Sequence, residues 1–183
     1  MVKRTYKTEG IILKRNNLSE ADKLLTVFTP RLGKITLLAK GIRKIHSRKA
    51  PHLELFNVVK LNIAKGRNLD IVTEAEMGTA YRNLRSNIDR VAYAYRIVEI
   101  IDRLCAEGQE HLKIYSDLLS VLDRLNRAEI SKLKEIVDRF TLNLLWELGF
   151  LPREKYLSAD PLSKFLESVT ERKLKSDKLL SRI

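Results

Sequence analysis

The hydrophobic period of this chain changes once, near Gly78, and that change limits the possible folds more than any other feature. Before it, apolar and polar residues alternate over short runs broken by glycine, the pattern of strands with one buried face. The runs are 8–15 (TEGIILKR), 22–29 (DKLLTVFT), 33–40 (GKITLLAK), 55–64 (LFNVVKLNIA) and 69–76 (LDIVTEAE). Leu55, Val59, Leu61 and Ile63 share one face of the fourth run, and Lys65-Gly66-Arg67-Asn68 turns it into the fifth. After Gly78 the spacing becomes helical. Residues 91–104 carry Ile97, Ile100, Ile101 and Leu104 three and four apart, and 116–125 repeat the pattern with Leu118, Leu119, Val121, Leu122 and Leu125. The longest helix is predicted over 130–148, with Ile136, Phe140, Leu144 and Leu148 as its stripe, Gly149 as its cap and Pro152 beyond. Asp160-Pro161 opens a further helix to about 169, and 176–182 reads as a last helical piece.

Five short strands with glycine turns predict a small barrel. The count fits an OB-fold, and an SH3-like barrel fits the pattern nearly as well. The chain therefore reads as a multi-domain β + α protein: a five-stranded OB-fold barrel over 1–78, then an all-α helical domain over 79–183 ending in a basic tail. No apolar stretch reaches the ~18–20 residues of a membrane span, and MVKRTYKTEGIIL has no apolar core or cleavage site of a signal peptide. Cys105 is the single cysteine among 183 residues, which excludes disulfide scaffolds and cysteine-based zinc sites and predicts a cytoplasmic protein.

Charge is sorted along the chain. Residues 1–80 hold 16 Lys/Arg against 7 Asp/Glu, residues 81–171 hold 14 against 15, and the last twelve hold 5 against 1, within a net charge of +12. Solubility alone needs no such sorting; a basic module, a neutral scaffold and a basic tail account for it. The densest run is 31–49, RLGKITLLAKGIRKIHSRK, with seven cations and no carboxylate. It reads as a turn, a strand and a glycine-punctuated loop. Fixed cations on a barrel edge suit a phosphate backbone; a solvated lysine-rich loop reads the same run equally well.

No P-loop, dinucleotide fingerprint, nucleophile elbow or HExxH motif occurs. His46 and His52 sit in the basic loop and add to its cationic character. Glu74 and Glu76 share a strand face, and with Asp70 they form the alternative reading, a metal-dependent nuclease. An RNA-binding module is a further alternative. Cys105 and Trp146 read as core residues. Only Tyr6, Phe28 and Phe56 are aromatic in residues 1–80, too few for a base-stacking platform. Binding would then rest on phosphate contacts, which are blind to sequence.

One stretch, TEGIILKRNNLSEADKLLTVFTPRLGKITLLAKGIRKIHSRK, resembles the start of the RecO family of DNA repair and recombination mediators. The matching elements are Glu20 before the second strand, Phe28-Thr29 at its end, Gly33-Lys34 opening the third, Ala39-Lys40-Gly41 closing it, and Ser47 in the basic loop. LLWELGFLP at 144–152 and KLKSDKLL at 173–180 match in order. The resemblance implies an OB-fold followed by helices and a non-enzymatic role in the RecFOR pathway of DNA damage repair. It implies binding of single- and double-stranded DNA, annealing of complementary strands, and cooperation with RecR. It further implies contact with the C-terminal tail of the single-stranded-DNA-binding protein, indirect action on RecA, and a nucleoid-associated location away from membranes. Many members carry a four-cysteine zinc cluster just after the motif matched here by Gly149-Phe150-Leu151-Pro152. This chain continues REKYLSADPL, so it resembles a short member without the zinc-cluster cysteines, and neither metal nor cofactor is expected.

The candidate DNA contacts are Lys34, Lys40, Arg43, Lys44, Arg48 and Lys49, with Lys14 and Arg15 behind them. Arg172, Lys173, Lys175 and Lys178 in the tail are candidates for DNA or for an acidic partner peptide, beside the apolar Leu174, Leu179 and Leu180. There is no catalytic candidate on this reading.

Overall fold

The computed structural model describes residues 4–182. They form two compact units. One comprises the residues up to Ala80 together with Glu107–Leu112; the other comprises Tyr81–Ala106 and the chain from Lys113 onward.

Five strands make the first unit: β1 (Thr5–Asn17), β2 (Lys23–Thr29), β3 (Gly33–Ala39), β4 (Val58–Ala64) and β5 (Asp70–Thr79). They close into a barrel in the order β1-β2-β3-β5-β4, with β4 returning to β1. Every pairing is antiparallel except the short seam where Leu37 and Leu38 of β3 run parallel to Asp70 and Ile71 of β5. That order is the OB-fold arrangement, and it sets aside the SH3-like alternative.

β1 is longer than its alternating pattern and serves two neighbours. Thr5 to Ile11 pair with β4, and Ile11 to Asn17 pair with β2. The handover is a bulge: the register shifts between Ile12 and Lys14, and Ile11, Ile12 and Leu13 are all buried in succession. An extra residue bends the strand and breaks alternation, so three consecutive apolar residues find interiors. The β2–β3 turn needs its glycine. Thr29 Oγ1 accepts the Leu32 N–H at 3.0 Å and donates to the Gly33 carbonyl at 2.9 Å, and Gly33 adopts φ +62°. β4 starts at Val58 because Phe56 takes φ +68° and Asn57 turns its amide to the His52 carbonyl at 2.8 Å. Leu55 consequently falls outside the strand, although it still packs on the barrel core.

Residues 40–57 run from β3 to β4 and plug the barrel. Ile42 and Leu53 join Ile12, Leu25, Val27, Leu37, Val59, Leu61, Ile63 and Val72 in one buried cluster. Each such side chain gains about 1.5–3 kcal/mol on burial, so the polar residues between the two pegs belong to a held loop. At β3, β5 reaches only the C-terminal half. Glu107 bridges to Lys34 in parallel, and the Gly108 N–H donates to the Lys34 carbonyl at 3.0 Å. The hexapeptide Glu107–Leu112 thus covers strand edge that would otherwise stand unpaired.

The second unit contains α1 (Arg82–Ser86), α2 (Ile88–Leu104), α3 (Leu112–Arg127, all but its first residue), a 3-10 turn (Ile130–Lys132), α4 (Leu133–Glu147), α5 (Ala159–Thr170) and α6 (Asp177–Leu180). The short α1 has no counterpart in the sequence pattern. α2 is central and touches α1, α4 and α6. Asn87 caps it through the Arg90 N–H at 3.1 Å, and Arg90 itself reaches the carbonyls of Leu125 and Ala128 at the end of α3. Gly149 at φ +77° terminates α4 as expected. Cys105 is buried; Trp146 is only half-buried, and its indole N–H donates to the Lys155 carbonyl at 3.1 Å.

The basic tail is tied down on α2. Leu174 is buried, the Lys175 and Ser176 N–H groups donate to the Glu99 carboxylate at 2.8 and 2.9 Å, and Arg96 pairs with Asp177. Burial works against charge on Glu99, but those two N–H groups and Arg103 outweigh it and hold the carboxyl below its ordinary range. A depressed carboxyl stabilises the folded state above its unfolded value of 4.5 and loses that contribution as pH falls through the lower folded value. Hydrogen exchange followed by mass spectrometry is therefore expected to show residues 174–180 losing protection on acidification below the ordinary carboxylate range. In Glu99→Gln the same segment should be less protected at neutral pH and respond less to acid. Unchanged protection in both would remove Glu99 as the anchor.

Candidate nucleic-acid interface

The loop between β3 and β4 carries its cations on a hydrogen-bonded frame. Asp22 Oδ1 accepts the Gly41 N–H at 2.8 Å, the Arg43 N–H donates to the Ala21 carbonyl at 3.0 Å, and its guanidinium donates to the Ser19 carbonyl at 2.9 Å. Successive turns follow, with Lys44 N–H on Gly41, Ser47 N–H on Lys44 and Leu53 N–H on Lys49. The loop forms one wall of a groove of about 590 Å³ lined by Lys40, Lys44, His46, Arg48 and Lys49, with Thr73 and Glu74 of β5 opposite. Four of the six first-rank cations of the sequence therefore share one groove. Lys40, Lys44 and Arg48 are exposed. Lys49 is half-buried and donates to the Val72 carbonyl at 2.8 Å; burial lowers its pKa, and Asp22 partly offsets this.

The remaining candidates divide. Arg43 is exposed beside the β1–β2 turn. Lys14 is exposed at the β1 bulge. Arg15 is paired with Glu54 and its side chain is 14% exposed, so its charge is largely matched within the barrel. Lys34 departs from the expectation. It is 9% exposed, because Glu107 and Gly108 lie along its strand. It does not line the groove. In the tail, Arg172, Lys173, Lys175 and Lys178 are exposed, but Leu174 is committed to the core, and Leu179 is the exposed apolar neighbour.

Lys23 was not among the sequence candidates. Burial lowers its pKa, and so do the nearby charges of Arg15 and Arg43, with Glu54 partly offsetting them. The register across the β1–β2 hairpin brings Arg15 near Lys23, and the Arg43 N–H on the Ala21 carbonyl brings in the third cation; Glu20 and Asp22, close in sequence, mask Lys23 in any running charge count.

The carboxylates of the nuclease alternative are not assembled for metal. Asp70 accepts the Tyr6 hydroxyl at 2.7 Å and the Gly66 N–H at 3.1 Å. The Tyr6 pKa is raised by burial and by that bond. Glu74 binds the Asn62 amide. Among the described residues no three His, Cys, Asp or Glu side chains converge on a possible metal site, and no helix is long and apolar enough to cross a membrane.

The family model for the N-terminal part of recombination protein O matches residues 1–81, and that for its C-terminal part matches residues 85–158. The chain belongs to the RecO family. A DNA repair protein RecO from Roseiflexus sp. is 41% identical over 150 residues, which is 82% of this chain and 52% of that protein. One from Bifidobacterium longum is 36% identical over 151 residues, 81% of this chain and 62% of the relative. One from Alkaliphilus metalliredigens is 32% identical over 146 residues, 80% and 59% respectively. The chain thus spans between about half and three fifths of the length of these curated RecO relatives. The first matched part coincides with the OB-fold and its cationic groove, and the second stops before the basic tail.

Proposed function

We propose that this RecO-family chain is a non-enzymatic DNA repair and recombination mediator that binds single- and double-stranded DNA and anneals complementary strands. The observation that carries the reading is the groove of Lys40, Lys44, Arg48 and Lys49. The chief obstacle to annealing is repulsion between two phosphate backbones. A rigid row of cations lowers that repulsion and displaces condensed counterions without reading bases. Arg43, Lys14 and Lys23 extend the positive field toward the β1–β2 turn. The proposal extends to cooperation with RecR, contact with the acidic C-terminal tail of the single-stranded-DNA-binding protein, and assistance to RecA at the nucleoid; membership of the RecO family supports this part of the reading without showing it. On this reading the exposed tail cations Arg172, Lys173, Lys175 and Lys178 around Leu179 contact either DNA or that acidic peptide.

The test is annealing of complementary oligonucleotides, with and without magnesium. Annealing is expected in both, with the DNA intact. No annealing, or magnesium-dependent loss of substrate, would overturn the reading. Changing Arg172, Lys173, Lys175 and Lys178 to alanine is expected to weaken binding of the acidic peptide more than binding of DNA. Equal losses would end the division of labour between tail and groove.

A further inference from the structure

Ile45 is 96% exposed, the highest value among the exposed large apolar side chains described. It stands within the cationic loop, and its position there is fixed. The Ser47 N–H donates to the Lys44 carbonyl at 2.9 Å, which makes Ile45 and His46 the central pair of a four-residue turn. Turn centres favour Pro, Asp, Asn or Gly, whose backbones or side chains suit the bend. A β-branched apolar residue there gains no burial and no turn preference. Its immediate surroundings are polar and positive: Arg43, Lys44, His46 and Arg48 are all exposed. The turn is braced from behind by the Lys44 N–H on the Gly41 carbonyl and by Arg43 on Ala21 and Ser19.

We propose that Ile45 is a wedge that enters between two adjacent bases of the nucleic acid held by the surrounding cations. The inference rests on the DNA-binding reading above and adds a second action to it. Cations beside an apolar tip can bind the phosphates flanking an opened base step, while the aliphatic side chain occupies the gap left by the lost stacking. An aliphatic wedge makes no hydrogen bond to base edges, so it keeps the sequence blindness of the groove. The bracing matters because a floppy tip would fold back or slide along the backbone; a held one stays pointed at the bases.

The probe is a duplex with 2-aminopurine at internal positions, whose fluorescence rises on unstacking. Affinity is measured separately by anisotropy, and fluorescence is read at saturating protein, so weaker binding does not enter the result. The wild-type chain is expected to raise the fluorescence. Ile45→Ala should cut that rise roughly fivefold or more, and Ile45→Leu should retain most of it, since leucine also serves as a wedge. A wild-type complex with no rise, or an equal rise in Ile45→Ala, would overturn the wedge while leaving DNA binding intact. Failure of the wild-type chain to bind the duplex at all would instead overturn the reading on which the wedge rests. Co-sedimentation with phosphatidylserine vesicles supplies the competing outcome. Ile45-dependent vesicle binding together with an Ile45-independent fluorescence signal would make the tip a membrane contact and overturn the wedge.

Discussion

Replacing Lys40, Lys44 and Arg48 together by alanine is expected to weaken binding to a random-sequence oligonucleotide about a hundredfold, taking about 1 kcal/mol for each lost phosphate contact. These three are the groove cations that are exposed and carry no side-chain bond within the chain, among the described residues. Their removal takes charge from the interface without loosening the frame. Lys49 and Arg43 are left in place because they hold the carbonyls of Val72 and Ser19. The salt dependence gives a sharper signature than affinity. A plot of log affinity against log salt should flatten by about two to three units when three contacts are lost, at about 0.7–0.9 per phosphate. The melting temperature should stay within a degree or two, since exposed side chains away from packing rarely matter to stability. An unchanged salt slope would mean that the phosphates lie elsewhere on the molecule. A large drop in melting temperature would mean that the loop frame depends on these side chains after all.

The second large effect is on folding. Gly33→Ala is expected to destabilise the chain by about 2–5 kcal/mol. Its backbone sits at φ +62°, where any L side chain costs about 1–2 kcal/mol. A Cβ there would also stand 1.9 Å from the Gln109 carbonyl oxygen, an overlap that backbone must move to relieve, typically at about 1–3 kcal/mol. Gly149→Ala provides the comparison. Its φ is +77°, but a Cβ there meets nothing within 4 Å, so only the conformational cost of about 1–2 kcal/mol applies. Urea unfolding of the two variants separates strain from collision. Equal shifts in midpoint would show that the hexapeptide gives way freely and contributes little to the barrel.

What the sequence revealed and what it hid follow from the range over which each cause acts. The strand runs and the stripes of α2, α3 and α4 are local patterns of apolar residues, so they were legible, as was the cationic run that became the groove. The bulge at Ile11–Ile12–Leu13 was not, because three apolar residues in a row fit a core strand of either register until the two partners of β1 are known. The fate of Lys34 depends on Glu107, more than seventy residues away, and nothing near Lys34 announces that cover. The tail shows the same effect. Leu174 reads as an apolar neighbour for a ligand until Glu99, on α2, is seen to hold the next two backbone amides. Lys23 is hidden for a related reason, since the charges that act on it, Arg15, Glu54 and Arg43, lie on other segments of the barrel unit.

The placement of Glu107–Leu112 bears on how such a protein can be inherited and taken apart. The barrel unit is not written as one uninterrupted stretch: six of its residues are supplied from within the helical half, from the connection between α2 and α3 and the first residue of α3. A recombination event or a protease cut after Ala80 would release a β segment whose third strand has lost the partner of its first half. Such a fragment would expose a backbone edge suited to pairing with its own kind. The two halves are therefore bound to travel together, and a gene that borrowed only the barrel would acquire a tendency to aggregate along with it.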